Sequence, residues 1–228
     1  MSPSLGTERP TVQDPLVGYA VEIGWVYLSP DEALTLRRGQ SGTFLYPTLR
    51  DKLIALNPGV VTVDTVYQVI ARIESVRTTI EGNAEVLAWL RGERAVYVQS
   101  EKRHRNVTLI DFEHPAHNVF HVTEEWQYTN GQHANRADVM FLINGIPLAV
   151  VETKGARKQA GIDEGIAQIR RYHRETPELM TAPQVFNVTH LIDFYYGVTW
   201  NLDRKDVFNW KDEKKRNFER KVKRFFSR

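Results

Sequence analysis

The chain contains no cysteine. That excludes a disulfide scaffold, a thiolate zinc site and a cysteine nucleophile, and it suits a reducing cytoplasm, the expected location. No apolar run approaches the roughly 20 residues that span a membrane. Met1 to Pro10 lacks the apolar core of a signal peptide. Without secretion, the sequons Asn106-Val107-Thr108 and Asn187-Val188-Thr189 read as chance. There is no internal repeat and no low-complexity segment. There is also no Gly-Lys-Ser/Thr phosphate loop, so no such nucleotide-driven motor is encoded here.

A strongly basic body is missing too. Residues 211–228 hold nine of the 30 basic and three of the 28 acidic residues. The other 210 residues therefore carry 21 basic against 25 acidic, a net of −4. Basicity is confined to a tail, whereas nucleic-acid binders usually show a basic stripe. A nucleic-acid substrate has to be argued from a local motif.

What is present is a globular composition, 42% hydrophobic and 25% charged over 228 residues, enough for a real core. The first part reads helical: Val12 to Gly24, a helix opened by the capping box at Ser29-Pro30-Asp31-Glu32, then Pro47–Asn57, Thr65–Val76 and Glu81–Leu90. Strands follow at Ala95–Gln99, Asn106–Phe112, Val119–Tyr128, Ala137–Ile143 and Pro147–Lys154, the last two flanking the hairpin signal Asn144-Gly145. A helix over Ile162–Glu175 and strands at Gln184–Val188 and Phe194–Thr199 complete the pattern. The fold class is α/β (α+β), a mixed central sheet flanked by helices. The division expected is a helical segment over 1–92 packing on a core over 93–205, then a basic linker over 206–228.

The sharpest local signal is Pro147-Leu148-Ala149-Val150-Val151-Glu152-Thr153-Lys154. Both faces are apolar up to Val151, the mark of a strand buried on two sides. A carboxylate and an ammonium at the end of such a strand are costly unless paired or metal-bound. Asp138 lies across the hairpin. A two-residue Asn144-Gly145 loop places Asp138 opposite Val151, with Glu152 on the wrong face. A three-residue loop, or a bulge, pairs Asp138 with Glu152. Two such carboxylates suit Mg²⁺, and a neighbouring Lys can orient the attacking water and offset phosphate charge. The triplet alone is weak, since acidic-x-Lys occurs five times, at Glu152, Asp203, Asp212, Glu213 and Glu219. Only Glu152 ends a buried apolar strand. Gln168 and Tyr172 then share one face of the following helix.

Asp138, Glu152-Thr153-Lys154, Gln168 and Tyr172 together resemble the PD-(D/E)xK nuclease pattern with its Gln-x-x-x-Tyr addition. The chain resembles in particular the N-terminal region of the restriction subunit of type I restriction-modification enzymes. Leu49-Arg50 to Leu56-Asn57-Pro58-Gly59, Leu109-Ile110-Asp111-Phe112-Glu113-His114-Pro115, Asn118, Gln127 and Ile169-Arg170-Arg171-Tyr172 agree with it, and the likeness spans roughly residues 15 to 200. One departure is Ala137, where the family commonly has Pro; the position is structural.

The resemblance implies a restriction-endonuclease-like core that cuts double-stranded DNA with Mg²⁺. Asp138, Glu152 and the Thr153 carbonyl would be metal ligands, Lys154 would position water, and Gln168 and Tyr172 would support the site or touch phosphate. It implies methyltransferase and specificity subunits as partners, and ATP used by the full-length subunit but not bound by this stretch. The rival readings are a non-catalytic DNA-binding or assembly module of the same fold, and a related repair nuclease.

Five other features stand apart from this pattern. Glu22 is a speculative extra acid near the site, more simply a solvated helix face. His114, His117 and His121 straddle a turn and a strand start, so the sequence gives no reason for them to converge on a transition metal. Lys102-Arg103-His104-Arg105 reads as a solvated hairpin tip, and Trp25, Trp89, Trp126 and Trp200 as core. Finally, Phe218, Val222, Phe225 and Phe226 form an apolar helical stripe at the chain's end, expected to pack on something outside it; the alternative is a basic amphipathic tail that folds back on the domain or rests on DNA phosphates.

Overall fold

The computed structural model describes residues 9–155, 161–190, 193–201, 203–211 and 217–228. Its spine is a seven-stranded mixed sheet. In chain order the strands are β1 (Val26–Leu28), β4 (Phe120–Thr129), β5 (Ala134–Ile143), β6 (Ile146–Thr153), β7 (Val185–Thr189), β8 (Phe194–Val198) and β9 (Phe208–Asn209), and they lie side by side in that same order. β1 runs parallel to β4 and β6 parallel to β7; the other pairs are antiparallel. A parallel pair needs a crossover, here provided by the helix α6 (Gly161–Glu175) between β6 and β7.

Both faces of the sheet are covered. On one, Ile162, Ile166, Ile169 and Tyr172 of α6 pack on Met140, Leu142, Val150 and Val188. The approach is close: a Cβ on Gly165 would stand 2.3 Å from Val188 Cγ1. On the other face, α1 (Asp14–Glu22) and α7 (Phe218–Phe225) cover Val122, Val139, Phe141 and Val151. The alternation of Val139, Met140, Phe141 and Leu142 between two apolar layers is why β5 is apolar throughout. A third cluster joins α3 (Tyr46–Leu56), α4 (Val66–Glu74) and α5 (Ile80–Leu90). Among the described residues no helix is long and apolar enough to cross a membrane.

Local signals explain α2 (Pro30–Leu36) and α4. Ser29 Oγ accepts from Glu32 N at 3.3 Å while Glu32 Oε2 accepts from Ser29 N at 2.8 Å, closing the capping box of α2. Val66, Val69, Ile70 and Ile73 form the buried stripe of α4.

Three expectations are corrected. The segment Asn106–Phe112 is not a strand. The strand is Arg103–Asn106 (β3), pairing with β2 (Ala95–Val98) in a separate hairpin, and Val107, Leu109 and Ile110 are buried beneath the helices. The segment read as helical contributes the sheet's edge strand β1, and the sheet runs past residue 205 into β9. The terminal stripe does not await an outside partner: Phe218, Val222 and Phe226 are buried on this domain.

The β5–β6 turn is tight. Asn144 and Gly145 have φ of +53° and +84°, the pair of left-handed residues that a two-residue hairpin favours. Asn144 accepts from Val119 N at 2.9 Å and donates to the Leu109 carbonyl and to Asn118 Oδ1, both at 2.8 Å. Gly145 abuts the start of α3, where a Cβ would stand 2.6 Å from the Leu45 carbonyl oxygen. Gly145→Ala combines left-handed strain with a backbone clash, together about 2–4 kcal/mol. Its melting temperature should fall by roughly 5–15 °C; an unchanged melting curve would show that the turn can move away from α3.

Candidate active site

Register decides which face each side chain of the hairpin takes. Next to the turn, Ile143 pairs with Ile146 and Leu142 with Pro147; beyond it Phe141 pairs with Ala149 and Val139 with Val151. One extra residue, Leu148, is therefore accommodated in β6 as a bulge. The loop keeps two residues and the bulge makes the shift, the second of the two solutions that the sequence left open. Asp138 and Glu152 are thereby brought to the same side at the open end of the hairpin, facing α6.

Asp138 is tied to β6 by Thr153, whose N–H and hydroxyl donate to Asp138 Oδ2 at 2.8 and 3.2 Å. Lys154 Nζ donates to the Thr153 carbonyl at 2.7 Å and to Glu152 Oε2 at 3.5 Å, and lies 3.8 Å from Asp138 Oδ2. Glu152 and Thr153 are fully buried, and Asp138 and Lys154 nearly so. The Tyr172 hydroxyl reaches Glu152 Oε1 at 2.8 Å and the main-chain carbonyl of Arg136, and accepts from Gln168 Nε2 at 2.7 Å. Having one proton, it donates to one of the first two at a time. The i, i+4 spacing of Gln168 and Tyr172 makes this chain possible.

Burial holds the Glu152 carboxyl well above the usual carboxylate range, and the neighbouring Asp138 charge pushes the same way, while Lys154 and Tyr172 pull against them. The Tyr172 phenol is raised by its own burial and then by Glu152. This environment fits a hard cation. Two converging carboxylates and a carbonyl are oxygen donors of the kind Mg²⁺ takes, and a positive charge there relieves the repulsion that raises Glu152.

The sequence reading missed three residues here. Glu125 lies midway along β4, between the pairs Glu124–Val139 and Trp126–Ala137 and hence across from Asp138, with φ +54°. Non-glycine residues held left-handed inside a strand are strained and recur at functional sites. Gln13, buried at the end of a π-helical turn (Arg9–Gln13), directs its amide to Glu124 Oε2 at 3.1 Å, Glu125 Oε1 at 3.2 Å and the Asp138 carbonyl at 3.4 Å. Glu124 also accepts from Arg9 at 2.7 Å and Tyr27 at 3.0 Å. Two adjacent acids interrupting an aromatic-rich strand were a readable signal; for Gln13 there was none.

The remaining candidates fall elsewhere. Glu22 is exposed and pairs with Lys223 of α7. His121 is buried on β4, but His114 and His117 do converge: their Nδ1 atoms lie 3.7 and 2.8 Å from Asp111 Oδ2. Asp111 at the same time accepts from the Glu113 and His114 N–H groups, which accounts for it as a turn cap. Arg103 and Arg105 both pair with Glu101 within their hairpin. Trp25, Trp89 and Trp126 are core, and Trp200 packs partly buried against it. Glu219 pairs with Lys223 and Asp203 caps a 3-10 turn, while Asp212 and Glu213 lie outside the described residues.

With this geometry in view, similarity to known proteins becomes informative. An endonuclease subunit from Escherichia coli, type I restriction enzyme EcoprrI, is 30% identical over 122 residues, which is 50% of this chain and 38% of that protein. Two proteins from Methanocaldococcus jannaschii carry the names putative type I restriction enzyme MjaVIIP and MjaVIIIP endonuclease subunit. The first is 36% identical over 88 residues, 39% of this chain and 8% of its own length. The second is 33% identical over 115 residues, 48% of this chain and 11% of its own length. The matched stretch is thus well under half of each of these relatives. Residues 6–204 match the family described as the type I restriction enzyme R protein N terminus, and since that is most of the chain, the chain belongs to this family.

Proposed function

We propose that this chain is the Mg²⁺-dependent endonuclease domain of a type I restriction subunit, hydrolysing phosphodiester bonds of double-stranded DNA. The observation that carries the reading is the bulged hairpin, which gathers Asp138, Glu152 and Lys154 in one buried site. Asp138, Glu152 and the Thr153 carbonyl would hold the cation. When bound, it neutralises the paired carboxylates and polarises the phosphate. Lys154 orients the water whose oxygen bonds to phosphorus as the ester bond breaks, and its charge offsets that of the phosphate. Tyr172 and Gln168 hold the Glu152 carboxyl in place. ATP-driven translocation would belong to other parts of the subunit, and methyltransferase and specificity subunits would complete a cytoplasmic complex.

Calorimetric titration with Mg²⁺ and Mn²⁺, beside cleavage of plasmid DNA, tests this. Saturable binding and metal-dependent cutting are expected, both lost in Asp138→Ala. Binding or cutting that survives Asp138→Ala sinks the reading.

Two further outcomes follow from the same site. Glu152→Gln removes a buried acid that repels Asp138, so without metal its melting temperature should equal or exceed that of the wild type. Added Mg²⁺ should raise the wild-type melting temperature by mass action and leave Glu152→Gln unmoved. A shift of equal size in both proteins would take Glu152 out of the ligand set. Gln168→Ala should lower cleavage by roughly 10- to 100-fold, the range for groups that orient a metal ligand, with an unaltered melting curve. An unchanged rate returns Gln168 to ordinary helix surface.

A further inference from the structure

Gln168 faces two ways. Its amide holds Tyr172 inside the site, and it also lines an open groove of about 470 Å³ on the surface next to it. The groove's other walls come from Gln40 in the loop after α2, Gln127 on β4, Asn135 and Arg136 on β5, and Arg171 on α6. Four of these six side chains are primary amides and two are guanidinium groups.

The groove is built rather than incidental. Gln40 Nε2 donates to Gln127 Oε1 at 2.9 Å, and Thr129 N to the Gln40 carbonyl at 3.2 Å, so the loop is fastened to β4. Arg171 Nε donates to Asn135 Oδ1 at 3.0 Å, and Arg136 is held by Glu125 Oε2 at 2.5 Å. Both arginines are about half exposed, 45% and 54%, so they are oriented while still facing solvent. Glu175 also lines the groove, 3.9 Å from Arg171 and accepting from Asn135 Nδ2 at 3.2 Å. Guanidinium groups fit phosphate oxygens. Amides offer a donor and an acceptor each, which suits sugar and base edges. The groove adjoins the site: the Tyr172 hydroxyl that meets Glu152 also contacts Gln168 and the Arg136 carbonyl, and both of those residues line the groove.

We propose that this groove receives the DNA strand flanking the phosphate to be cut, with Arg136 and Arg171 on its phosphates and Gln40, Gln127 and Asn135 along its sugar and base edges. The assignment rests on the nuclease reading for the substrate class and adds the surface that holds it.

Fluorescence anisotropy with a short labelled DNA duplex, in chelator, reads binding apart from cleavage. Arg171→Ala should raise Kd roughly 5- to 10-fold and reduce the slope of log Kd against log salt by about one. Arg171→Lys should restore that slope. Gln127→Ala should weaken binding and leave the slope unchanged. Arg103→Ala, on the remote β2–β3 hairpin, should bind like the wild type. The proposal is overturned if the wild-type protein binds no duplex, if Arg171→Ala and Gln127→Ala bind as well as it does, or if Arg103→Ala costs as much as Arg171→Ala. A groove used for a protein subunit would give the second of these results. Failure of the nuclease reading shows separately: duplex binding would still depend on Arg171 and Gln127, while calorimetry finds no saturable Mg²⁺ or Mn²⁺ binding that Asp138→Ala removes.

Discussion

Asp138→Ala and Lys154→Ala should each lower metal-dependent cleavage of duplex DNA by about a thousandfold or more, the order lost when a key electrostatic group leaves an active site. The two substitutions act differently. Asp138 is a proposed metal ligand that also accepts two hydrogen bonds from Thr153, so its loss leaves a buried main-chain N–H without that acceptor. Such an orphan costs about 1–3 kcal/mol. Asp138→Ala should therefore melt earlier as well as cut poorly. Asp138→Asn keeps a carbonyl for Thr153 and should recover stability without recovering cleavage, which separates the two roles. Lys154 stands within 3.8 Å of both carboxylates, so removing its charge favours protonation of Glu152 and weakens the hold on a cation. Lys154→Ala should need more metal and still cut slowly at saturation. The measurements are cleavage rate against metal concentration and a melting curve for each variant. Wild-type rates in either alanine variant would remove that residue from the site.

Phe226→Ala should lower the melting temperature by roughly 10 °C, from a loss of about 3–5 kcal/mol for a buried phenylalanine. The Phe226 ring stacks on Phe141 with centroids 3.7 Å apart and an interplanar angle of 6°. Trp25 meets Phe141 edge-on at 4.8 Å, and its indole N–H donates to the Phe226 carbonyl at 2.9 Å. Phe218 and Val222 are buried beside them. Deleting residues 217–228 should be worse, because it uncovers the α7 side of Val139, Phe141 and Val151. Those residues lie on the strands that carry Asp138 and Glu152, so the deletion should also impair metal binding. Differential scanning calorimetry decides. A deletion variant that melts with the wild type would mean that the terminal helix contributes no net stability and would return residues 217–228 to the linker expectation.

Elements whose signals are local are legible in the residues alone. The capping box at Ser29 and Glu32 needs only a few residues, and the stripe Val66, Val69, Ile70 and Ile73 needs only helical periodicity. β6 was legible as buried on two faces because no polar residue interrupts it before Glu152. Asn144-Gly145 specified a tight turn because both positions take positive φ. Asp138, Glu152, Thr153, Lys154, Gln168 and Tyr172 were all named from spacing and family resemblance.

Tertiary structure decided what depends on distant partners. Local turn preference leaves the register open, and the bulge at Leu148 is what sets Asp138 beside Glu152. Asn106–Phe112 has strand-like composition, but Val107, Leu109 and Ile110 are buried under helices, and burial selects the same side chains as a strand does. The stripe of α7 was plain as periodicity, yet its partners Trp25 and Phe141 lie some 200 and 85 residues earlier in the chain. Gln13 reaches Glu124 and Asp138 across more than 100 residues, and no pattern around residue 13 announces a partner so far along the chain. Periodicity tells which face of an element is apolar; what that face meets, and which polar groups close the site, follows only when the chain has folded and remote residues become neighbours.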